Sequence, residues 1–241
     1  TLEGKGTRFG KKVRQEKGEV TGRAGGAVAD TSAPPPLLAP IAAYYSEKIR
    51  QYGATPLGVD WPCLPTQEMR FVQLLKVCDF GSPFSLNDVG CGYGALLSYL
   101  SNRYPRHPVD YQGTDLSEEM IAAASRRWSR RRTAHFCIAR DASRTADYSV
   151  ASGVFNVKLN ATDKAWERGI QKSLERIRSN SRKGFAVNFI DLAQCPSRIP
   201  QLYYADAQWW ASYCERHLDV NAEIVSGYGL REFTLLMRCR T

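Results

Sequence analysis

Short apolar runs alternate with segments of helical periodicity through most of the chain. The runs that predict strands cover residues 85–89, 109–114, 134–139, 148–152 and 183–190. The segments that predict helices after them cover residues 95–103, 117–131, 163–179 and 206–217. Because strands that alternate with helices run parallel, this order predicts an α/β fold with helices on both faces of a mostly parallel sheet.

Two further strand-like runs, 221–225 and 232–238, close the chain and are joined by a glycine-containing turn at 226–229. Such a connection is too short for a helical crossover, so the two runs are predicted to pair as antiparallel strands. The sheet is therefore expected to have seven strands.

The N-terminal part has a different pattern. Residues 1–36 are rich in glycine and charge, lack apolar periodicity and end in three prolines, which predicts a disordered basic tail. Residues 37–52 and 66–77 have apolar positions at helical spacing. We expect 37–80 to form a helical lid on a core at 81–241, giving one domain over 37–241, as a length of 241 residues allows.

Composition narrows the class of protein. A net charge of +9 favours encounters with anions such as nucleic acid, and the basic run from Arg126 to Arg132, with Trp128 inside it, could contact phosphates. A solvated helix end explains that run more simply, so a nucleic-acid partner is not favoured. The seven cysteines lack the spacing of a disulfide framework or metal site, which predicts a reduced, cytoplasmic protein. No apolar run approaches the ~20 residues that cross a bilayer.

The strongest chemical signal is Asp88-Val-Gly90-Cys-Gly92-Tyr-Gly94, between the first strand and its helix. Its glycines allow a tight turn and the close approach of a ligand. Asp115, at the end of the second strand, can accept hydrogen bonds from ribose hydroxyls. A pyrophosphate loop has the spacing G-x-G-x-x-G, whereas this loop reads G-x-G-x-G and has an acid before it. That acid would repel a pyrophosphate and suits a ligand that carries an ammonium and a sulfonium.

These motifs resemble the binding signature of the class I S-adenosylmethionine-dependent methyltransferases, in particular small bacterial members. The resemblance implies a Rossmann-like fold with strand order 3-2-1-4-5-7-6, the last strand antiparallel, and S-adenosylmethionine as cofactor. It implies that the glycine loop holds the methionine part, that Asp115 holds the ribose, and that Leu116 and Asp141 lie at the adenine. The full set of implied cofactor residues is Asp88, Gly90, Cys91, Gly92, Gly94, Asp115, Leu116, Asp141, Ala142 and Ser152.

Simpler interpretations of the same residues exist. The glycines could serve turn chemistry alone, Asp115 could cap the helix that starts near Ser117, and Asp147 could take the place of Asp141. These interpretations treat each feature separately and leave the joint spacing to chance.

The acceptor is less constrained. The fourth strand is followed by Ser152-Gly-Val-Phe-Asn156, without the Asn/Asp-Pro-Pro-aromatic sequence of enzymes that methylate base amines or glutamine. The only Pro-Cys pair, Pro62-Cys63, lies upstream of the glycine loop, unlike the nucleophile of cytosine methyltransferases. We therefore expect methyl transfer to an oxygen, nitrogen or carboxylate of a small molecule, with catalysis by proximity and desolvation. RNA or protein methylation, non-catalytic cofactor binding and, more remotely, nicotinamide-dependent oxidoreduction are the alternatives.

Candidate acceptor residues come from segments expected above the strand ends. Asn156 and Tyr44 are the candidate catalytic residues. The candidate substrate-binding residues are Tyr44, Tyr45, Trp61, Phe155, Tyr203 and Tyr204. Trp209 and Trp210 are expected to pack rather than bind. None of the three histidines, at 107, 135 and 217, lies in a segment that suits a general base, and no metal site is predicted.

Overall fold

The structure is a computed structural model that describes residues 36–240. The predicted tail therefore lies outside the described residues, except for Pro36. The helices are α1 (Ala39–Tyr52), α2 (Leu64–Leu74), α3 (Ala95–Arg103), α4 (Glu118–Arg127), α5 (Asp163–Ser179) and α6 (Ala207–His217). The strands are β1 (Phe84–Val89), β2 (Val109–Asp115), β3 (Ala134–Ile138), β4 (Ala146–Ala151), β5 (Ser181–Asp191), β6 (Tyr204–Ala205), β7 (Val220–Val225) and β8 (Glu232–Cys239). Short 3₁₀ turns lie at Pro56–Val59, Leu75–Val77 and Leu192–Gln194.

One sheet contains all these strands. Seven of them follow the order β3-β2-β1-β4-β5-β8-β7, and β6 pairs only with β5. Neighbours from β3 to β5 pair parallel, and β8 lies antiparallel between β5 and β7. With β7 and β8 as the sixth and seventh predicted strands, the predicted order 3-2-1-4-5-7-6 is confirmed. The sequence pattern missed only β6, a two-residue strand that pairs with β5 and is too short to show alternation.

Helices cover both faces because the central strands are apolar on both sides. Successive residues of β5 point into different cores: Phe185 belongs to the cluster beneath α5 and α6, and Ala186 to the cluster beneath α2 and α3. Leu235 and Leu236 of β8 alternate in the same way. The sheet is thus the middle layer of three.

The N-terminal segment lies against the core through α1 and α4. The Ser46 hydroxyl is 2.8 Å from that of Ser117, the residue that caps α4, and Arg50 pairs with Glu119 in the first turn of α4. Helix α4 ends at Arg127, four residues earlier than predicted. There the ring of Trp128 packs on the glycine loop and its Nε1 donates to the Gly94 carbonyl at 3.3 Å.

The basic run is therefore partly structural. The Arg127 and Arg131 guanidinium groups lie 5.9 Å from the Trp128 ring centroid, and Arg131 donates to the Ser101 hydroxyl. The Trp128 indole is engaged with protein groups rather than presented for base stacking. None of the helices within residues 36–240 is long and apolar enough to cross a bilayer.

Candidate functional site

A cleft lies at the carboxyl ends of β1 to β4, the edge at which ligands bind in open α/β sheets. Counted out to its open mouth, its volume is about 860 Å³. The strand ends and the loops after them form the core side of the cleft, and α1, α2 and the turn between them form a cover. The cover contributes Ile41, Ala42, Tyr45, Val59, Trp61, Gln67 and Phe71.

The glycine loop forms the floor of the cleft. Gly90 and Gly92 line it with φ of 71° and 54°, a backbone region that favours glycine. The N–H groups of Gly90 and Cys91 donate to the Thr114 carbonyl at 2.8 and 2.9 Å, which joins the loop to β2. A Cβ on Gly90 would lie 2.4 Å from Cγ2 of Val154. The loop therefore requires glycine at this position for both its conformation and its surroundings.

Gly94 has a different place from the one predicted for it. Its φ of 78° lets it act as the N-cap residue of α3, and a Cβ there would lie 2.9 Å from the indole nitrogen of Trp128. It is not among the residues that line the cleft. Its glycine serves the turn and the packing of Trp128, so the predicted contact with a cofactor does not follow from its position.

Asp115 is held in a fixed orientation at the end of β2. Its Oδ2 accepts the Gly92 N–H at 2.9 Å and its Oδ1 accepts the Ser117 N–H at 2.9 Å. Burial raises the pKa of this carboxyl, and the backbone donors oppose that effect. Because an ionised carboxylate has about four acceptor positions, lone pairs are left for ligand hydroxyls. Leu116 lines the cleft beside it.

Asp88 lies deeper, with 2% of its surface exposed. Its Oδ2 accepts a short hydrogen bond from the Tyr111 hydroxyl, and the residue lines the cleft. Burial raises the pKa of Asp88 to about 7, the hydrogen bond from Tyr111 works against that rise, and the charge of Asp115 adds to it. A cationic group in the cleft would favour the anionic form of Asp88.

Asp141 and Ala142, predicted at the adenine, are not among the residues that line the cleft. The Asp141 carboxylate accepts Arg176 Nη1 of α5 at 2.7 Å and lies 3.5 Å from Arg140, and Ala142 is buried in the core. Ala139 and Arg140 line the cleft after β3 instead. The alternative, Asp147, is farther away: it binds the Ser85 N–H and hydroxyl at the opposite end of the sheet.

Ser152 follows β4 and lines the cleft as predicted for a cofactor residue. Its hydroxyl is buried and has no hydrogen-bond partner among residues 36–240. Buried polar atoms are nearly always hydrogen-bonded to protein groups, water or a ligand, so this hydroxyl is available to a group bound in the cleft. Cys91 also lines the cleft, and burial raises the pKa of its thiol well above the ordinary value.

Of the aromatic residues predicted at the acceptor, Tyr45 and Trp61 line the cleft. Tyr44 does not, because its hydroxyl donates to Asp60 on the outer side of the cover. Burial and the Asp60 carboxylate raise the pKa of Tyr44, so its hydroxyl stays protonated, and its position gives no support to the predicted catalytic role. Burial likewise raises the pKa of Tyr45, so its hydroxyl is a neutral donor or acceptor.

The other predicted acceptor residues do not line the cleft, although Phe155 lines a smaller adjoining cavity that shares Leu116, Arg140 and Val154 with it. Phe155 stacks on Phe189 in the core at 5.4 Å, and the Tyr203 hydroxyl lies between Glu167 and the Trp210 indole. The segment after β4 turns inward, because the Asn156 carbonyl accepts the Tyr203 N–H at 2.8 Å.

Asn156 is buried, and its Oδ1 accepts the Ile190 N–H at 3.2 Å, so it supports β5. Tyr204 accepts the Ile199 N–H and lines a separate groove. Trp210 is fully buried, as expected, whereas Trp209 is exposed and stacks on Tyr213. The histidines lie outside the cleft lining, as expected. Within residues 36–240 no group of His, Cys, Asp and Glu could hold a metal ion.

The sequence analysis missed Gln67 of α2, which lines the cleft with 2% of its surface exposed. Its Oε1 accepts the Tyr93 hydroxyl at 3.1 Å, and its Nε2 has no protein partner within the described residues. Helical spacing could have indicated Gln67, because it lies one helical turn before Phe71 and on the same face of α2, and Phe71 also lines the cleft. Arg140 and Gly153 were missed as well.

The sheet order and the glycine loop define a Rossmann-like protein with a cleft at the carboxyl edge of its sheet, lined by the carboxylates of Asp88 and Asp115. Residues 87–180 match a family model described as a methyltransferase domain. A protein of Mycobacterium tuberculosis (strain ATCC 25618 / H37Rv) that carries the name "Putative methyltransferase Rv1506c" is 41% identical over 165 residues, 68% of this chain and 98% of the relative. The chain belongs to the methyltransferase family.

Solved structures share the fold. Human N-acetylserotonin methyltransferase in complex with SAM superposes with a TM-score of 0.59 and 17% identity, over 86% of this chain and 59% of that one. Magnesium protoporphyrin IX methyltransferase from Synechocystis PCC 6803 with bound SAH gives a TM-score of 0.57 and 12% identity, over 83% and 98%. The predicted fold and the assignment to the class I S-adenosylmethionine-dependent methyltransferases are confirmed.

Proposed function

We propose that this chain transfers the methyl group of S-adenosylmethionine to an oxygen, nitrogen or carboxylate of a small-molecule acceptor. One observation carries the proposal: positive-φ glycines, the buried carboxylate of Asp88, the half-buried carboxylate of Asp115 and an orphaned hydroxyl line a single cleft at the carboxyl edge of the sheet. Family membership supplies the reaction class, and the cleft supplies the groups that such a donor needs.

The residues of the cleft fit the donor, which combines a nucleoside, an ammonium, a carboxylate and a sulfonium. Asp115 has acceptor positions for the ribose hydroxyls, and Leu116 offers an apolar surface beside them. Asp88 offers negative charge for the ammonium, and the free Gln67 amide and the Ser152 hydroxyl can hydrogen-bond the methionyl part. Asp141 has no such role, because it pairs with α5.

Bound S-adenosylmethionine supplies an electrophilic methyl group on a positively charged sulfur. The residues of this chain contribute orientation and the exclusion of water. Trp61 and Phe71 of the cover close over the strand ends, so an acceptor atom aligned there is partly dehydrated. Such positioning lowers the barrier without a strong base.

The cover half of the lining has no charged side chain, which supports a small uncharged portion of the acceptor beneath it. The cleft lies beneath α1, α2 and the turn between them, which favours a small molecule over a nucleic acid. The packing of Trp128 against the glycine loop points the same way, because it engages the aromatic ring of the basic run with protein groups.

Titration calorimetry with S-adenosylmethionine tests the proposal. We expect the wild-type protein to bind one equivalent, and Asp115→Asn to weaken binding about tenfold or more, because charge-assisted hydrogen bonds are each worth about 1.5–3 kcal/mol. Asp110→Asn is the matched control, since exposed Asp110 lies at the other end of β2 and pairs with half-buried Arg144. Absence of binding by the wild-type protein, or equal effects of the two substitutions, contradicts the proposal.

Production of S-adenosylhomocysteine across a panel of phenols, amines and carboxylic acids then tests the acceptor class. We expect turnover with at least one of these small molecules and none with RNA. Turnover with RNA alone would replace the small-molecule proposal.

A further inference from the structure

A buried ion pair lies directly behind one wall of the cleft. Arg70 of α2 and Glu232, the first residue of β8, are each 5% exposed. The Arg70 Nε lies 2.9 and 3.1 Å from the two carboxylate oxygens, and its Nη2 donates to Glu232 as well. Asn188 Nδ2 donates to the same carboxylate at 2.7 Å. Glu232 is thus fully engaged, and its charge is matched by that of Arg70.

The pair reaches the cleft through Trp61. The Arg70 guanidinium lies 3.6 Å from the centroid of the Trp61 ring, and this indole lines the cleft. The edge of the indole packs on Gly153, where a Cβ would lie 2.5 Å from Cζ2. The Gly153 N–H donates to Asn188 Oδ1 at 2.8 Å. The cover is therefore joined to the ends of β4, β5 and β8 by a continuous series of side-chain and backbone contacts.

Stability alone does not account for this cluster. Removing two charges from water is costly, and a well-packed apolar pair of similar volume is often as stable as a buried ion pair or more so. An indole attracts a cation to its face. One face of the Trp61 indole is already covered by a cation, the Arg70 guanidinium. Without Glu232, the unneutralised guanidinium would repel a second cation in the cleft, through a region of low dielectric.

We propose that Glu232 is a positioning residue that neutralises Arg70 while Arg70 holds Trp61, so that the aromatic wall can face a positively charged methyl donor. The inference rests on the proposed function, because it requires a cationic ligand in the cleft. The charge of Glu232, which lies 162 positions after Arg70 in the sequence, would then affect how tightly the cleft binds the charged methyl donor.

S-adenosylmethionine and S-adenosylhomocysteine separate this role from a structural one, because the first carries a sulfonium and the second does not. We expect Glu232→Gln to raise the dissociation constant for S-adenosylmethionine at least threefold more than that for S-adenosylhomocysteine, measured by calorimetry at one ionic strength. Asp110→Asn, which removes the exposed acidic partner of Arg144 at the other end of β2, is the control and should leave the ratio of the two constants unchanged. An unchanged ratio in Glu232→Gln overturns the inference.

A second variant keeps the test available if Glu232→Gln does not fold. Arg70→Met/Glu232→Gln carries neither charge, so the ratio should stay within twofold of the wild-type ratio even if both affinities fall. A larger change in that ratio overturns the neutralisation role. If the wild-type protein binds neither ligand, the proposed function fails; if it binds both and the ratios do not respond as stated, only this inference fails.

Discussion

Replacing Gly90 by alanine should destabilise the protein for two separable reasons. An L-residue at a φ of 71° costs about 1–2 kcal/mol relative to glycine. The added Cβ would lie 2.4 Å from Cγ2 of Val154, and overpacking of this kind costs about 1–3 kcal/mol more. The free energy of unfolding should therefore fall by roughly 2–5 kcal/mol, a large share of the 5–15 kcal/mol typical of a domain.

Gly227 provides the matched control. It has the same φ of 71°, but a Cβ there would have nothing within 4 Å, so Gly227→Ala should cost only the first contribution. Urea unfolding gives the free energy of unfolding of Gly90→Ala, Gly227→Ala and Val154→Ala, and of the double variant Gly90→Ala/Val154→Ala. The double variant should recover about 1–3 kcal/mol relative to the sum of the single changes. Equal costs at the two glycines, together with additivity with Val154, would refute the argument.

Three further predictions concern the lining of the cleft. Because the pKa of Asp88 is raised to about 7 from about 4 in the unfolded chain, the native state holds the extra proton between these values, and its contribution to stability falls as pH rises from about 4 to about 7. Asp88→Asn should not show this decrease in stability with pH. If the free energy of unfolding in urea differs between pH 5 and pH 8 by as much in the variant as in the wild type, the prediction is wrong. Gln67→Met should weaken S-adenosylhomocysteine binding about tenfold, since a free amide facing the ligand is lost; calorimetry within twofold of the wild type would exclude this role. Asp141→Asn should leave that affinity within about twofold, since the carboxylate pairs with Arg176, and a loss of tenfold would restore the original adenine assignment.

The strands and helices could be predicted from local patterns because each has its own periodicity. The order of the strands, by contrast, came from the resemblance to the methyltransferase family. The core side of the site followed as well, since the carboxyl ends of parallel strands meet at one edge, and Asp88, Gly90, Asp115 and Ser152 line one cleft there. Their roles toward the cofactor remain predictions.

The rest depended on directions and pairings that no local pattern records. Phe155 and Tyr203 come after strands, as acceptor residues would, but a bridge between Val157 and Leu202 turns the chain back into the core. The contact between Arg70 and Glu232 joins residues 162 positions apart, so only the folded sheet brings them together.

A crystal structure of the protein grown with S-adenosylhomocysteine would test the central claim most directly. We predict a nucleoside within the cleft, with its ribose hydroxyls on the Asp115 carboxylate and its amino-acid part along the loop from Gly90 to Gly92. An empty cleft at saturating ligand, or a nucleoside bound elsewhere on the molecule, would contradict the account.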